Sequence, residues 1–316
     1  MKNEQKSIGF GFALLGTSNT NYISDEEAEN IFQCIIDHGI LRFDTAPLYG
    51  GGLSEERLGK LLIKIPRNNY ILSTKVGRYR PYASHISNPK NNPEDWYDFS
   101  SETTKRSVEK SLNRLGTDFL DIVFIHDCDN HIEEAVNTCL PILQDLKSQG
   151  VLGSIGCGSN VAETHEKILK FAEFDILMLA GRFTLLDQSA LGSLFSYTMS
   201  KSVDVELASP FNSGILATGS EKKNSRFDYM PVGTNVLKRV SEIEKICSKF
   251  DVSLKRAALT YSLSHPAVKR LILGLVHPTG LASNITDLSK PPPNELWEAL
   301  SIIGIPNPNM QEILQE

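Results

Sequence analysis

The chain has 316 residues, of which 41% are hydrophobic and 22% charged, with a formal net charge of -6. These are ordinary values for a globular protein and leave room for one barrel-sized domain. An acidic balance with no basic stripe argues against nucleic acid or an acidic membrane surface as partner; no apolar run reaches the ~18 residues of a membrane span, and the opening MKNEQKSIGF lacks a secretory apolar core, so a cytoplasmic location is expected.

Strand-like and helix-like segments alternate along the whole chain. Strands are expected at 8–15, 40–44, 70–75, 120–126, 154–158, 175–180, 203–208 and 270–275, mostly short and nearly continuous apolar runs of the kind that parallel strands buried on both faces require. Helices are expected over 25–38, 54–63, 101–115, 133–149, 162–173, 189–201, 236–250 and 279–288, with an additional one over 253–264. Ser24 and Glu27 form a capping box ahead of the first, which ends before Gly39. The helix over 133–149 carries Val136, Cys139, Leu140, Leu143 and Leu146 on one stripe and stops at Gly150. Eight βα units in series point to the α/β class and to a single closed (β/α)8 (TIM) barrel over 1–316 rather than an open doubly wound sheet.

Long connections at 76–100 and 209–235 follow strand C-termini and are expected over the barrel mouth as binding elements or lids, while the tail 290–316 reads as a cap or a frayed end. Five cysteines, Cys34, Cys128, Cys139, Cys157 and Cys247, form no Cys-x-x-Cys and are expected as buried free thiols. The run HDCDNH offers metal-capable side chains, but it mixes hard and soft ligands, and consecutive residues at a strand end do not wrap one ion, so no metal is expected. GFGFALLG has Leu14 where a dinucleotide fingerprint needs its third glycine, and reads as the first barrel strand. SEERLGKL reads as an ordinary amphipathic helix.

Four polar residues stand at or just past the ends of apolar runs: Asp44 and Tyr49 in RFDTAPLYG, Lys75 in LSTKVG and His126 in VFIHD. A barrel gathers such residues on its C-terminal face, and this combination suits a tuned proton-transfer site. RFDTAPLYGGGLSEERLGKLL, with STKVG, DIVFIHD and SPFNSGILATG, resembles the aldo-keto reductases across most of the chain. The resemblance implies hydride transfer between a nicotinamide cofactor and a carbonyl or alcohol, with Asp44, Tyr49, Lys75 and His126 as the catalytic four. Tyr49 would carry the proton, Lys75 would lower its pKa, Asp44 would hold Lys75, and His126 would orient the substrate oxygen.

The same resemblance places Gly11, Phe12, Ser159 and Asn160 near the nicotinamide, Ser209, Pro210, Phe211, Asn212, Ser213, Gly214 and Leu216 along the pyrophosphate, and Gly274 and Asn284 near the adenosine, with Asp44 also beside the cofactor. This chain departs from the family pattern in having Ala208 where a stacking tyrosine is usual and Ala180 where a glutamine is. After the eighth strand, Gly274 and Gly280 stand at the places of the lysine and arginine that clamp a 2′-phosphate, and Ser283 at that of the usual acidic residue. NAD is therefore expected over NADP, although Lys222 and Lys223 lie in a loop that can approach a phosphate.

GGGLSEERLG, STKVGR, YDFS, FIHDCDNH, LAGRFTLLDQSAL and PFNSGILATG resemble the subgroup of aldose, L-fucose, L-galactose and pyridoxal dehydrogenases. The expected activity is oxidation of an aldose hemiacetal (L-fucose, L-galactose or D-arabinose type) at C1 to the lactone. Pyridoxal oxidation or general aldehyde reduction is the same-class alternative, and a cofactor-binding redox-sensing or accessory subunit the alternative of another class. Asp127, Trp96, Tyr49 and His126 are the expected substrate contacts. Asp129 and His131 are candidate hydroxyl ligands, and Tyr79, Tyr82 and Tyr97 extend an aromatic wall. The partner is a small molecule, with no nucleic acid or membrane, and the protein is expected as a monomer or weak homo-oligomer.

Overall fold

The computed structural model describes residues 7–16, 23–79, 96–274 and 278–308. Tyr82 and the end of the strand expected at 270–275 lie outside them. Eight parallel strands, β1 (Ile8–Gly11), β2 (Arg42–Asp44), β3 (Ile71–Val76), β4 (Leu120–His126), β5 (Leu152–Ser159), β6 (Ile176–Ala180), β7 (Asp204–Ala208) and β8 (Val268–Gly274), close on themselves, β1 pairing with both β2 and β8. Helices α1 (Asp25–Asp37), α2 (Leu53–Leu62), α3 (Ser101–Leu115), α4 (Leu140–Ser148), α5 (Ala162–Phe171), α6 (Ser193–Lys201), α7 (Thr234–Lys249), α8 (Leu254–Ser262), α9 (Pro278–Leu288) and α10 (Asn294–Ile302) follow in chain order. This is the expected (β/α)8 barrel. No helix among the described residues is long and apolar enough to cross a membrane.

Alternation along each strand decides what enters the lumen. Ile122 and Phe124 of β4, Ile176 and Met178 of β6 and Ile272 of β8 form one buried apolar cluster. Beside it the lumen holds a polar cluster. Arg42 of β2 and Glu206 of β7 are both buried, with Arg42 Nε 2.9 Å from Glu206 Oε1, and Arg270 Nη1 of β8 reaches the same oxygen at 2.6 Å. Gly9 makes room for this pair, because a Cβ there would lie 2.6 Å from Arg42 Cγ.

The structure differs from the sequence expectation in several places. The first strand stops at Gly11 instead of running to 15: after a last ladder bond from the Phe12 N–H to the Asp44 carbonyl at 2.8 Å, the chain turns through a 3-10 segment, Ala13–Gly16, with the Leu15 N–H donating to the Phe12 carbonyl at 3.0 Å. The helix expected over 133–149 is a turn, Ile132–Glu134, a π-helical stretch, Ala135–Cys139, and then α4. The wider turn precedes Pro141, which lacks the N–H an α-helix would use there. Gly192 divides the helix expected over 189–201 into Ser189–Leu191 and α6. The tail contains α10, whose Leu296, Trp297 and Leu300 are buried at about 1.5–3 kcal/mol each, so this part is a packed cap and not a frayed end. All five cysteines are free, four buried and Cys34 half-buried. Burial pushes the Cys139 thiol up to about 12.

Candidate active site

Asp44, Lys75 and His126 end or nearly end β2, β3 and β4, at positions of one alternation phase, so all three point into the top of the lumen. Lys75 Nζ donates to Asp44 Oδ2 at 2.6 Å and to the Thr45 carbonyl at 2.9 Å. The Ser73 hydroxyl, in the layer below, donates to Asp44 Oδ1 at 2.6 Å and accepts from Arg42 Nη1 at 2.8 Å. A buried polar chain thus runs from the lumen pair Glu206–Arg42 through Ser73 to Asp44 and Lys75.

Tyr49 arrives from the loop after β2. Gly50, Gly51 and Gly52 follow it with φ of 69°, 67° and 101°, a left-handed path that residues with a Cβ adopt at a cost. Gly16 packs against the same backbone, where an added Cβ would lie 2.3 Å from the Tyr49 carbonyl carbon. Helix α2 then fastens the loop with buried polar side chains. Ser54 donates to the Phe12 carbonyl (2.7 Å), Glu55 accepts from Thr74 (2.6 Å) and Arg114 (2.7 Å), and Arg57 donates to the Leu15 carbonyl (3.0 Å). The SEER segment is therefore not an ordinary amphipathic face. Its polar residues are interior, which periodicity alone does not distinguish from solvated ones.

The result is a Tyr49 ring 6.2 Å from the His126 ring, edge to face, with Lys75 Nζ 5.2 Å from the phenol ring centroid. Burial, foremost, with contributions from Asp44, Tyr229 and Asp127, pushes the Tyr49 phenol well above its ordinary value of 10, and Arg78 opposes this. Lys75, expected to lower that pKa while held by Asp44, donates to Asp44 at 2.6 Å, and this pairing reduces the net charge that reaches the phenol. Burial holds His126 down to about 4, so its imidazole is neutral at neutral pH.

These side chains line a cavity of about 570 Å³ at the barrel mouth. Of the residues expected there, Gly11, Asp44, Tyr49, Lys75, His126, Asp127, Ser159, Asn160, Ser209 and Gly274 line it. Asn212 and Ser213 border a small adjoining recess. Ser209, Asn212 and Ser213 have left-handed φ of 54°, 44° and 60°, Gly214 one of 98°, and Asn212 Oδ1 is buried with no hydrogen-bond partner among the described residues. Pro210 is buried and Phe211 half-buried on the same turn. Phe12 and Leu216 do not face the cavity. Phe12 packs edge-on against Phe43 at 5.9 Å, and Leu216 is fully buried in the core. Asn284 is buried on α9.

Trp96 is not among the cavity residues, and its carbonyl accepts the Tyr79 N–H at 2.7 Å. The Tyr79 hydroxyl is turned to the Gly77 N–H at 3.0 Å, and among the described residues of that loop Tyr97 is the aromatic that lines the cavity. Asp129 accepts from the Ser159 hydroxyl at 2.6 Å, and His131 stacks on Tyr97 at 5.2 Å. No group of three metal-capable side chains occurs among the described residues. Cys128 and Cys157 lie 3.9 Å apart and buried; contact with Cys128 and burial push the Cys157 thiol well up.

Two polar side chains of the cavity, Arg78 and Tyr229, were not singled out from the sequence. Arg78, three residues past Lys75, pairs with Asp127 and lies 5.2 Å from the Tyr97 ring centroid. Tyr229 is at the tip of a hairpin, Arg226–Phe227 with Met230–Pro231, where Asp228 and Tyr229 both have positive φ. Arg182 holds this tip, with Nη1 2.9 Å from Asp228 and Nε donating to the Asn160 carbonyl at 2.6 Å. Tyr229 had no periodic signal, since the hairpin strands are two residues each.

A parallel barrel that carries a buried lysine–aspartate pair, a tyrosine and a neutral histidine at its open face has the architecture of a barrel enzyme. Residues 7–304 match the Aldo/keto reductase family, and the chain belongs to that family of oxidoreductases. It is similar to D-threo-aldose 1-dehydrogenase from Pseudomonas sp, at 33% identity over 306 residues covering 93% of each chain. It is also similar to pyridoxal 4-dehydrogenase from Microbacterium luteolum, at 30% identity over 327 residues covering 95% of this chain and 94% of that one. Among solved structures, the holo form of an aldo-keto reductase from Bacillus halodurans superposes with a TM-score of 0.75 at 25% identity, covering 94% of this chain and 91% of that one.

Proposed function

We propose that the protein oxidises an aldose hemiacetal at C1 to the lactone, using NAD in preference to NADP. The observation that carries this reading is the cavity itself. Tyr49 and His126 converge at its base, and the Arg78–Asp127 pair lies beside His126 on the wall, so a reacting carbon and a hydroxylated substrate body both have partners. Similarity to an aldose 1-dehydrogenase over 93% of both chains supports it.

The residues present fit a nicotinamide cofactor. Gly11, Gly158, Ala180, Ala208 and Gly274 give the cavity a floor of small side chains on which a flat ring has room. Asn160 would hold the carboxamide, joined by Ser159 through what its bond to Asp129 leaves free. The turn Ser209–Gly214, whose Ser209 and Ser213 hydroxyls can donate, would hold the pyrophosphate, and Gly274 and Asn284 the adenosine side. When bound, the cofactor accepts the hydride from C1. In that step Tyr49 takes the C1 hydroxyl proton, His126 donates a hydrogen bond to the same oxygen, Lys75 and Asp44 hold the phenol in place, and the C–O bond becomes the lactone carbonyl. Phe12 and Leu216 contribute packing behind the site.

The preference for NAD rests on what surrounds the adenosine end. Gly274, Gly280 and Ser283 supply no cation there, and Lys255, which donates to Ser283, is paired with Asp287 at 2.9 Å. A second reading, oxidation of pyridoxal, is favoured by the 30% identical relative. Steady-state reduction of NAD and NADP by the purified protein on L-fucose, L-galactose, D-arabinose and pyridoxal separates the readings. The expected result is a higher kcat/KM on at least one sugar than on pyridoxal, and a ratio favouring NAD. Preference for pyridoxal would install the second reading, and a ratio favouring NADP would overturn the cofactor assignment.

A further inference from the structure

The cavity wall beside His126 carries the Arg78–Asp127 pair. The Arg78 guanidinium contacts Asp127 through Nη1 and lies 5.2 Å from the Tyr97 ring centroid, while its Nε is buried with no hydrogen-bond partner among the described residues. Asp127 is fixed by its own backbone, with φ of 50° and its N–H donating to the Gly158 carbonyl at 2.7 Å. Its Oδ2 lies 3.5 Å from His126 Nε2. One carboxylate oxygen therefore stands beside both the imidazole and the guanidinium.

We propose that Arg78 and Asp127 form a subsite for a hydroxyl on the carbon adjacent to the reacting one, so that the enzyme selects neutral α-hydroxy aldehydes, open or ring-closed, over aldehydes lacking that oxygen. This deepens the reading of the site as one for aldoses and rests on it. An oxygen held between Tyr49 and His126 has its vicinal neighbour one carbon away, at the separation between the imidazole and Asp127. A hydroxyl satisfies both members of the pair: it accepts from the cavity-facing part of the Arg78 guanidinium and donates to Asp127. A phosphate or carboxylate at that place would meet the Asp127 charge, and a methylene would desolvate the exposed part of the pair without returning the hydrogen bonds that water gives it. A site built to bond a hydroxyl rejects the analogue without it far more strongly than an apolar pocket rejects a missing methylene.

The test compares kcat/KM for glyceraldehyde and propanal in the NADH-dependent reduction, and for an aldose and its 2-deoxy form in the oxidation, in the native protein, Arg78→Met, Asp127→Asn and Arg78→Lys. The native protein should favour the hydroxylated member by about a hundredfold or more. Arg78→Met and Asp127→Asn should collapse that ratio toward one, mainly through loss on the hydroxylated member, and Arg78→Lys should restore part of it. General damage to the site would lower both members together and leave the ratio in place, which would overturn the proposal, as would a native ratio near one. If no aldose is oxidised but glyceraldehyde is still strongly preferred, the aldose reading fails and the subsite stands. If a sugar and its 2-deoxy form are oxidised equally, the subsite fails and the aldose reading stands.

Discussion

Tyr49→Phe is expected to lower kcat for sugar oxidation by about 10²–10⁴-fold while leaving the fold intact, because general acid–base transfer contributes that much and the change removes one half-buried hydroxyl. The pH profile makes the test sharper. Burial holds the native phenol well above its ordinary value, so the basic form needed for oxidation is scarce at neutral pH. Its fraction grows roughly tenfold per pH unit below the pKa, and oxidation should rise with pH from about 6 to about 9. Reduction needs the protonated form and should stay flat over that range. His126, held down to about 4, is already neutral there and adds no inflection. In Tyr49→Phe the rise in oxidation should disappear. A variant that keeps full turnover, or keeps the rise, would remove Tyr49 from the role of proton carrier.

Glu206→Gln is expected to destabilise the protein by about 3–5 kcal/mol, since it leaves the buried Arg42 guanidinium without its anion. For a chain of this size that corresponds to a fall in Tm on the order of 10 °C, read by calorimetry. Burial raises the Glu206 pKa, but Arg42 and Arg270 outweigh it and hold the carboxyl below the ordinary range. A depressed carboxyl contributes stability above its unfolded pKa of about 4.5 and loses it as pH falls through the lower folded value. The native protein should therefore lose stability more steeply than Glu206→Gln on acidification. Arg42→Met combined with Glu206→Leu should recover much of the Tm, because paired removal leaves neither member of the Arg42–Glu206 pair buried without the other and Arg270 is partly exposed. A Glu206→Gln protein that melts with the native one would show that the lumen tolerates the bare guanidinium.

The two experiments mark where the sequence was informative. Apolar runs such as DIVFIH exposed the strands, because burial on both faces leaves a continuous hydrophobic signature. Asp44, Lys75 and His126 were legible because each is a polar residue at or near the C-terminal end of such a run. Arg42 and Glu206 were not, although they too lie on strands. They are 164 residues apart, and only closure of the barrel brings them together. Arg57 and Glu55 carry the same lesson for α2, where interior polar residues have the composition of a solvated face. Phe12 and Leu216 were assigned to the cofactor by resemblance, but their apolar side chains went to the core. Tyr229 reaches the cavity through backbone with positive φ at two non-glycine residues, a conformation without a composition signal.

Transfer of hydride from C1 is the claim on which the rest depends. The protein should be given NAD and an aldose carrying deuterium at C1, and the reduced cofactor and sugar product analysed by mass spectrometry. The account predicts one deuterium in the reduced nicotinamide, a lactone free of label, and a slower turnover than with the unlabelled sugar. Label retained on the sugar, with no deuterated cofactor formed, would contradict it.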